Sequence, residues 1–207
     1  MDFSIERILY SLPAVILGLS VHEFSHAYMA LKLGDSTAKD EGRVSLNPLR
    51  HLDPIGFLFI VLVGFGWAKP VRFNPENLKR KKRDRILIAL AGPLSNLALG
   101  TAALVALKLL LSFMQVTDGS AAEIGLNLLL YFGYINFGLF VFNMIPLPPL
   151  DGSHVLLQGI NLSPALEQRV VQYGSYALFA IIVAENRLNI DLLPIGRAVN
   201  ALVGLFF

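Results

Sequence analysis

At 207 residues, with 55% hydrophobic and 15% charged side chains and a mean hydropathy of +0.60, the chain has too little polar surface to coat a water-soluble globule. It contains no cysteine, which excludes disulfides, thiolate metal sites and a cysteine nucleophile, so any metal must be held by His and carboxylate. The net charge is only +2, yet twelve of the seventeen Lys and Arg lie between Lys32 and Arg85, a clustering that points to membrane topology and away from nucleic acid.

The pattern predicts an all-α polytopic membrane protein of one membrane-embedded domain over residues 1–207, with about five transmembrane helices and a small re-entrant strand or loop region. The first apolar segment runs from about Ile8 to Leu33 and stops at Gly34. It lacks an A-x-A-like cleavage site and reads as a retained helix, although His22, Glu23 and His26 interrupt it. From Asp35 to Arg85 the chain is polar at both ends but holds a short apolar stretch, Pro54 to Ala68, with Gly56, Gly64 and Gly66 inside it. That stretch is shorter than a full span, so a re-entrant or sheet-like insertion is expected. The basic run from Lys79 to Arg85 reads as a cytoplasmic loop. Ile86 to Phe113 and Ile124 to Ile145 are two further spans, the second ending in a proline-rich turn from Pro146 to Gly152. Val170 to Ala184 and Leu192 to Phe207 supply two more apolar segments. A core over about 8–160 thus precedes C-terminal helices over about 161–207.

The basic residues also set orientation. If Lys32 to Arg85 is cytoplasmic throughout, the amino terminus lies outside and the first helix ends inside. The next two spans then go out and back. Asp118 and Glu123 fall outside, and Asp151 returns to the cytoplasmic face near His22 and His26.

His22-Glu23-Phe24-Ser25-His26 is an H-E-x-x-H pattern on a predicted helix. Helical positions four apart differ by about 40° around the axis, so both imidazoles project from one face and can share a cation. Glu23 stands about 100° from His22, beside the metal but not on it, where a base acting on zinc-bound water belongs. An ionisable residue near the bilayer centre costs roughly 2.5–3.5 kcal/mol, which argues against a chance occurrence. Catalytic zinc generally takes three protein ligands plus water, and three candidates for the third are visible. Asp151 sits in a turn stiffened by Pro146, Pro148 and Pro149, His154 would share its face if a helix starts there, and His51 lies in the polar loop. Spacing alone leaves all three open. Asn96 and Asn143 interrupt apolar segments and are expected to point inward. Asn143 could position a substrate backbone, and either amide could simply tie helices together.

The set formed by His22 to His26, Gly92-Pro93-Leu94-Ser95-Asn96 and Asn143 to Gly152 resembles the site-2 protease family of intramembrane zinc metalloproteases, in its short bacterial and archaeal form. The resemblance implies that His22, His26 and Asp151 bind one Zn2+ and that Glu23 is the catalytic base. It further implies an endopeptidase that cuts within or near transmembrane segments of membrane proteins, by Glu-assisted attack of zinc-bound water. The enzyme would be multi-pass in the cell membrane, with its active site toward the cytoplasm. Gly64 to Val71 is similar to that family's re-entrant strand beside the active site, where Gly66 and Trp67 would contact substrate. Glycines there would let another backbone approach, and an exposed edge could pair with an extended substrate. No periplasmic or nucleotide-sensing module accompanies the resemblance. Two other functions stay in competition: a zinc hydrolase of small or lipid substrates, which needs a compact pocket, and a metal transporter, which has no need of Glu23.

Overall fold

The computed structural model describes residues 5–63, 66–114, 117, 119–160, 162–188 and 190–207. Helix α1, Ile5–Lys32, is followed by the single turn α2, Thr37–Asp40, and by α3, Pro54–Val63. Then come α4, Lys81–Phe113, and α5, Ala121–Asn143. Shorter α6, Asp151–Gly159, precedes α7, Pro164–Leu188, and α8, Ile195–Val203. Local chemistry explains several boundaries. Gly34 has φ +109°, a conformation that ends the α1 region at little steric cost only for glycine. Ser120 accepts from the Glu123 amide while the Glu123 carboxylate accepts from the Gly119 amide, so two otherwise orphaned donors at the start of α5 are satisfied.

Among the described residues, three helical stretches are long and apolar enough to cross a membrane: Ile8–Lys32, Lys81–Phe113 and Ala121–Asn143. These three helices form the bundle, and their directions can be read from the side chains that meet. Tyr10 stacks on Tyr131, and Gly18 faces Asn136 and Leu139, so numbering rises together and α1 and α5 are parallel. His26 meets Ile88 while His22 meets Asn96, so α4 runs antiparallel to α1. The helices approach through small residues: Gly100 lies against Phe137, and Gly133 against Leu104. Leu104, Leu107, Leu126 and Phe137 then pack with Val199 and Val203 of α8. Polar groups are sequestered inside, with Asn96 and Asn136 both fully buried, while Leu9, Leu17, Leu94, Leu109, Leu111 and Leu128 are exposed. That distribution suits an apolar solvent around the bundle.

Two expectations change. Pro54 to Val63 is helical rather than sheet-like, because its apolar run has no alternation to favour a one-sided strand. At ten residues it is about 15 Å long, half of a hydrocarbon core. Among the described residues, the strand character reduces to one antiparallel bridge between Leu52 and Ala68. Gly56 and Gly66 press against the backbone of the returning chain, and there is no space at either for a Cβ. Gly64 and Phe65, like Asp118, lie outside the described residues. The segment Leu192 to Phe207, expected as a fifth span, contains a helix of nine residues, about 14 Å, too short to cross. Its residues Val199 and Val203 are instead buried against α5 and its neighbours. Helix α7 has the length for a span, 25 residues, but carries Glu167, Arg169, Glu185 and Arg187 toward its ends.

Candidate metal centre

The parallel course of α1 and α5 brings the end of α1 and the turn after α5 to the same end of the bundle. His22 and His26 project from α1 one turn apart, and Asp151 opens α6 just beyond that turn. Their donor atoms all lie within 4.8 Å of one another. His22 Nε2 is 3.1 Å from Asp151 Oδ2, His26 Nε2 is 3.4 Å from the same oxygen, and the two Nε2 atoms are 2.9 Å apart. Four ligands at about 2.0–2.1 Å from a tetrahedral zinc stand about 3.3 Å apart, so this triangle is close to one face of such a site.

The hydrogen bonds behind the rings decide what the converging atoms are. His26 Nδ1 lies 2.7 Å from the Ile88 carbonyl, which can only accept, so that nitrogen carries a proton. Asn96 Nδ2 donates to the Gly18 carbonyl and to Asn136 Oδ1, leaving Asn96 Oδ1 to accept from His22 Nδ1 at 2.7 Å. In the neutral tautomers both Nε2 atoms are therefore bare lone pairs, converging with a carboxylate. Three acceptors aimed at one point call for a cation, so the residues present fit a divalent metal.

The centre opens into a polar cleft of about 240 Å³. Glu23 lines it beside the histidines, together with Pro70, Val71 and Phe73 of the non-helical segment before α4. Glu23 Oε2 accepts from the Val71 amide at 3.1 Å and is 3.8 Å from Nη2 of Arg43. Asn143 also faces the cleft, but its Nδ2 is turned back onto the Leu139 carbonyl of its own helix. On the far wall Arg85 pairs with Glu167 at 2.6 Å, linking α4 to α7.

His22, Glu23, His26, Asp151 and Asn143 thus line one cleft. His154 lines the cleft without joining the three converging donors, and burial depresses its pKa. His51 is fully buried and donates from Nε2 to the Ser45 carbonyl, away from the cleft lining. Gly66 and Trp67 pack against Gly56 and Phe59 of α3, while the residues that reach the cleft are Pro70 and Val71, a few positions on. Sequence reasoning passed over Arg43, Asn136 and the packing of Gly92 over both imidazoles. An arginine in a polar loop and an asparagine in a span carry no local signal of the partner each will meet.

Comparison with known proteins now bears on this geometry. The family model described as peptidase family M50 matches residues 10–184. Similar proteins each bear the name "Putative zinc metalloprotease". YwhC of Bacillus subtilis is 36% identical over 84% of this chain and 78% of its own length. MJ0611 of Methanocaldococcus jannaschii is 36% identical over 86% of this chain and 85% of its own. Rip2 of Mycobacterium tuberculosis is 28% identical over 81% of this chain, which spans 63% of that longer relative. No solved structure matches the chain significantly. With the match covering both imidazoles, the carboxylate between them and Asp151, the chain belongs to peptidase family M50.

Proposed function

We propose that this protein is an intramembrane zinc endopeptidase that hydrolyses peptide bonds within or near the transmembrane segments of other membrane proteins. The observation that carries this reading is the position of the Glu23 carboxylate. It stands in the same cleft as the three converging donors and beside a non-helical backbone segment, inside a bundle with an apolar outer face. His22, His26 and Asp151 would hold the zinc, with Asn96 and the Ile88 carbonyl fixing the two rings. Zinc supplies a Lewis acid that makes water nucleophilic and polarises a carbonyl near neutral pH. Glu23 takes the proton from the attacking water and passes it to the departing amide nitrogen. The Lys69–Val71 segment receives the substrate in extended form, since a helix would keep its amide bonds paired and out of reach. Asn143, with its Nδ2 bonded within α5, offers its carbonyl oxygen to the substrate backbone.

In this reading the basic stretch from Lys32 to Arg85 is cytoplasmic and the amino terminus lies outside. His26 is six residues before Lys32 at the end of α1, which places the centre about 9 Å below that helix end. The test uses a fluorophore–quencher peptide of about 20 apolar residues, broken by Gly-Pro at mid-length and reconstituted with the purified protein in vesicles. Wild type is expected to cleave it with equimolar zinc bound. Glu23→Gln should keep the zinc and lose about 10²–10⁴-fold in rate, whereas His22→Ala, His26→Ala and Asp151→Ala should lose the zinc. Undiminished cleavage by Glu23→Gln would remove the base from this scheme.

A further inference from the structure

We propose that Arg43 is a positioning residue for the hydrolysis: its guanidinium clamps the Lys69–Val71 segment so that one backbone amide is presented to Glu23 and the substrate's seat keeps its place over the metal centre. The assignment rests on the reading of Glu23 as base and of this segment as the substrate's seat.

Arg43 follows Gly42, whose φ of +69° turns the chain, and the Arg43 amide is tied to the Ala38 carbonyl at 2.8 Å. Its side chain is only 3% exposed. A cation is buried to that degree only with partners in place, and the partners here are specific. Nη2 donates to the Lys69 carbonyl at 2.5 Å, Nη1 donates to the Pro70 carbonyl at 3.4 Å, and Nη2 stands 3.8 Å from Glu23 Oε2. The adjoining amide, Val71 N–H, donates to the same Glu23 oxygen at 3.1 Å.

The segment has few other ways to be held. Leu52 bridges Ala68, and the Lys69 amide donates to the His51 carbonyl at 2.7 Å, so regular pairing ends there. Pro70 has no N–H and cannot extend the pairing. Two successive carbonyls therefore need donors from elsewhere, and a planar fork with fixed N–H directions holds both in one geometry, whereas an ammonium's three donors rotate about a flexible stem. The same fork is an ion-pair partner of Glu23 at 3.8 Å, too long for a hydrogen bond, so Arg43 reaches the carboxylate by its charge as well as through Val71. Because the Lys69 and Pro70 carbonyls fix where Val71 sits, a shift of the segment changes the aim of the base and the seat of the substrate together. Misplacement by about 1 Å at such a site is worth about 10²-fold in rate.

The experiment compares wild type, Arg43→Gln, Arg43→Lys, Val71→Pro, the double variant Arg43→Gln/Val71→Pro, and Glu23→Gln on the same fluorophore–quencher peptide, with zinc content and thermal unfolding measured on each. Arg43→Gln is expected to keep equimolar zinc while kcat/KM falls about 100-fold, shared between a raised KM and a lowered kcat. Arg43→Lys should keep the KM defect and recover part of kcat. The double variant should be no slower than the worse single one, because both act through one segment. Unchanged KM in both Arg43 variants, or full additivity in the double, overturns the assignment even if Glu23→Gln is inert. Loss of zinc and of cooperative unfolding in both Arg43 variants also overturns it, in favour of a purely structural role. Full activity of Glu23→Gln instead defeats the underlying reading of the base, whatever Arg43 does.

Discussion

Gly92 shows how much a single atom decides at this centre. It lies where α4 passes over the two imidazoles, and a Cβ there would come within 2.6 Å of His22 Nε2 and closer still to His26 Nε2. Those nitrogens are the ones that face the cation, so the intruding methyl would turn both rings off their aim. Gly92→Ala is expected to retain its helical content, since alanine favours a helix more than glycine by about 1 kcal/mol. Zinc affinity, measured by competition with a chromophoric chelator, should fall at least tenfold. Retention of wild-type affinity would show that α4 can move aside. His22 and His26 were visible in the sequence because H-E-x-x-H is a local pattern, set by helix geometry alone. Gly92 was visible only as the first position of the Gly92-Pro93-Leu94-Ser95-Asn96 motif. That it packs on the histidines depends on a register between helices that no local spacing contains.

At the scale of elements, the end of α1 is joined to the turn before α4 by one carboxylate. Asp35 is fully buried and accepts from Thr37 Oγ1 at 2.7 Å, from Asn77 Nδ2 at 2.6 Å and from the Asn74 amide at 3.0 Å. Burial pushes its pKa up, but the donors from Asn77, Thr37 and Asn74 together outweigh this and leave it lowered. A group with a depressed folded-state value contributes stability above its unfolded pKa, about 3.9, and that contribution is lost as pH falls through the folded value. Asp35→Asn places an amide donor among donors and should cost about 2 kcal/mol at pH 7. The gap from wild type in thermal unfolding should narrow below about pH 4. An equal gap at pH 7 and pH 3 would rule out the charge as the source. The helical elements themselves were mostly legible, because long apolar runs flanked by Gly, Pro or charge leave few alternatives. The insertion between α1 and α4 was harder to read. Its ten-residue helix and its single bridge both fit a short apolar run with glycines, and which of them forms depends on contacts such as Trp67 against Phe59.

For the whole molecule, the parallel course of α1 and α5 with α4 antiparallel between them is the arrangement expected when nothing between α1 and α4 crosses the bilayer. The absence of cysteine makes orientation straightforward to test, since one introduced thiol is the only one present. Lys79→Cys, before α4, should be alkylated by an impermeant reagent only from the cytoplasmic side, and Ala121→Cys, at the start of α5, only from outside. Labelling of both from one side would break the proposed path. The distribution of basic residues led to the expectation of Asp151 on the same membrane face as His22 and His26, and its choice as third ligand came from the resemblance carried by Asn143 to Gly152. The segment Leu192 to Phe207 was harder to read, because an apolar stretch of span-like length does not reveal that α8 packs against α5.

The two halves of the metal site stand 125 positions apart, from His26 to Asp151, on opposite sides of α4 and α5 in chain order. A proteolytic centre built within one helix could begin cutting its surroundings while the ribosome was still extending the chain. Here the third donor follows the three bundle helices in chain order, so the donor set is complete only once the turn after α5 has been synthesised.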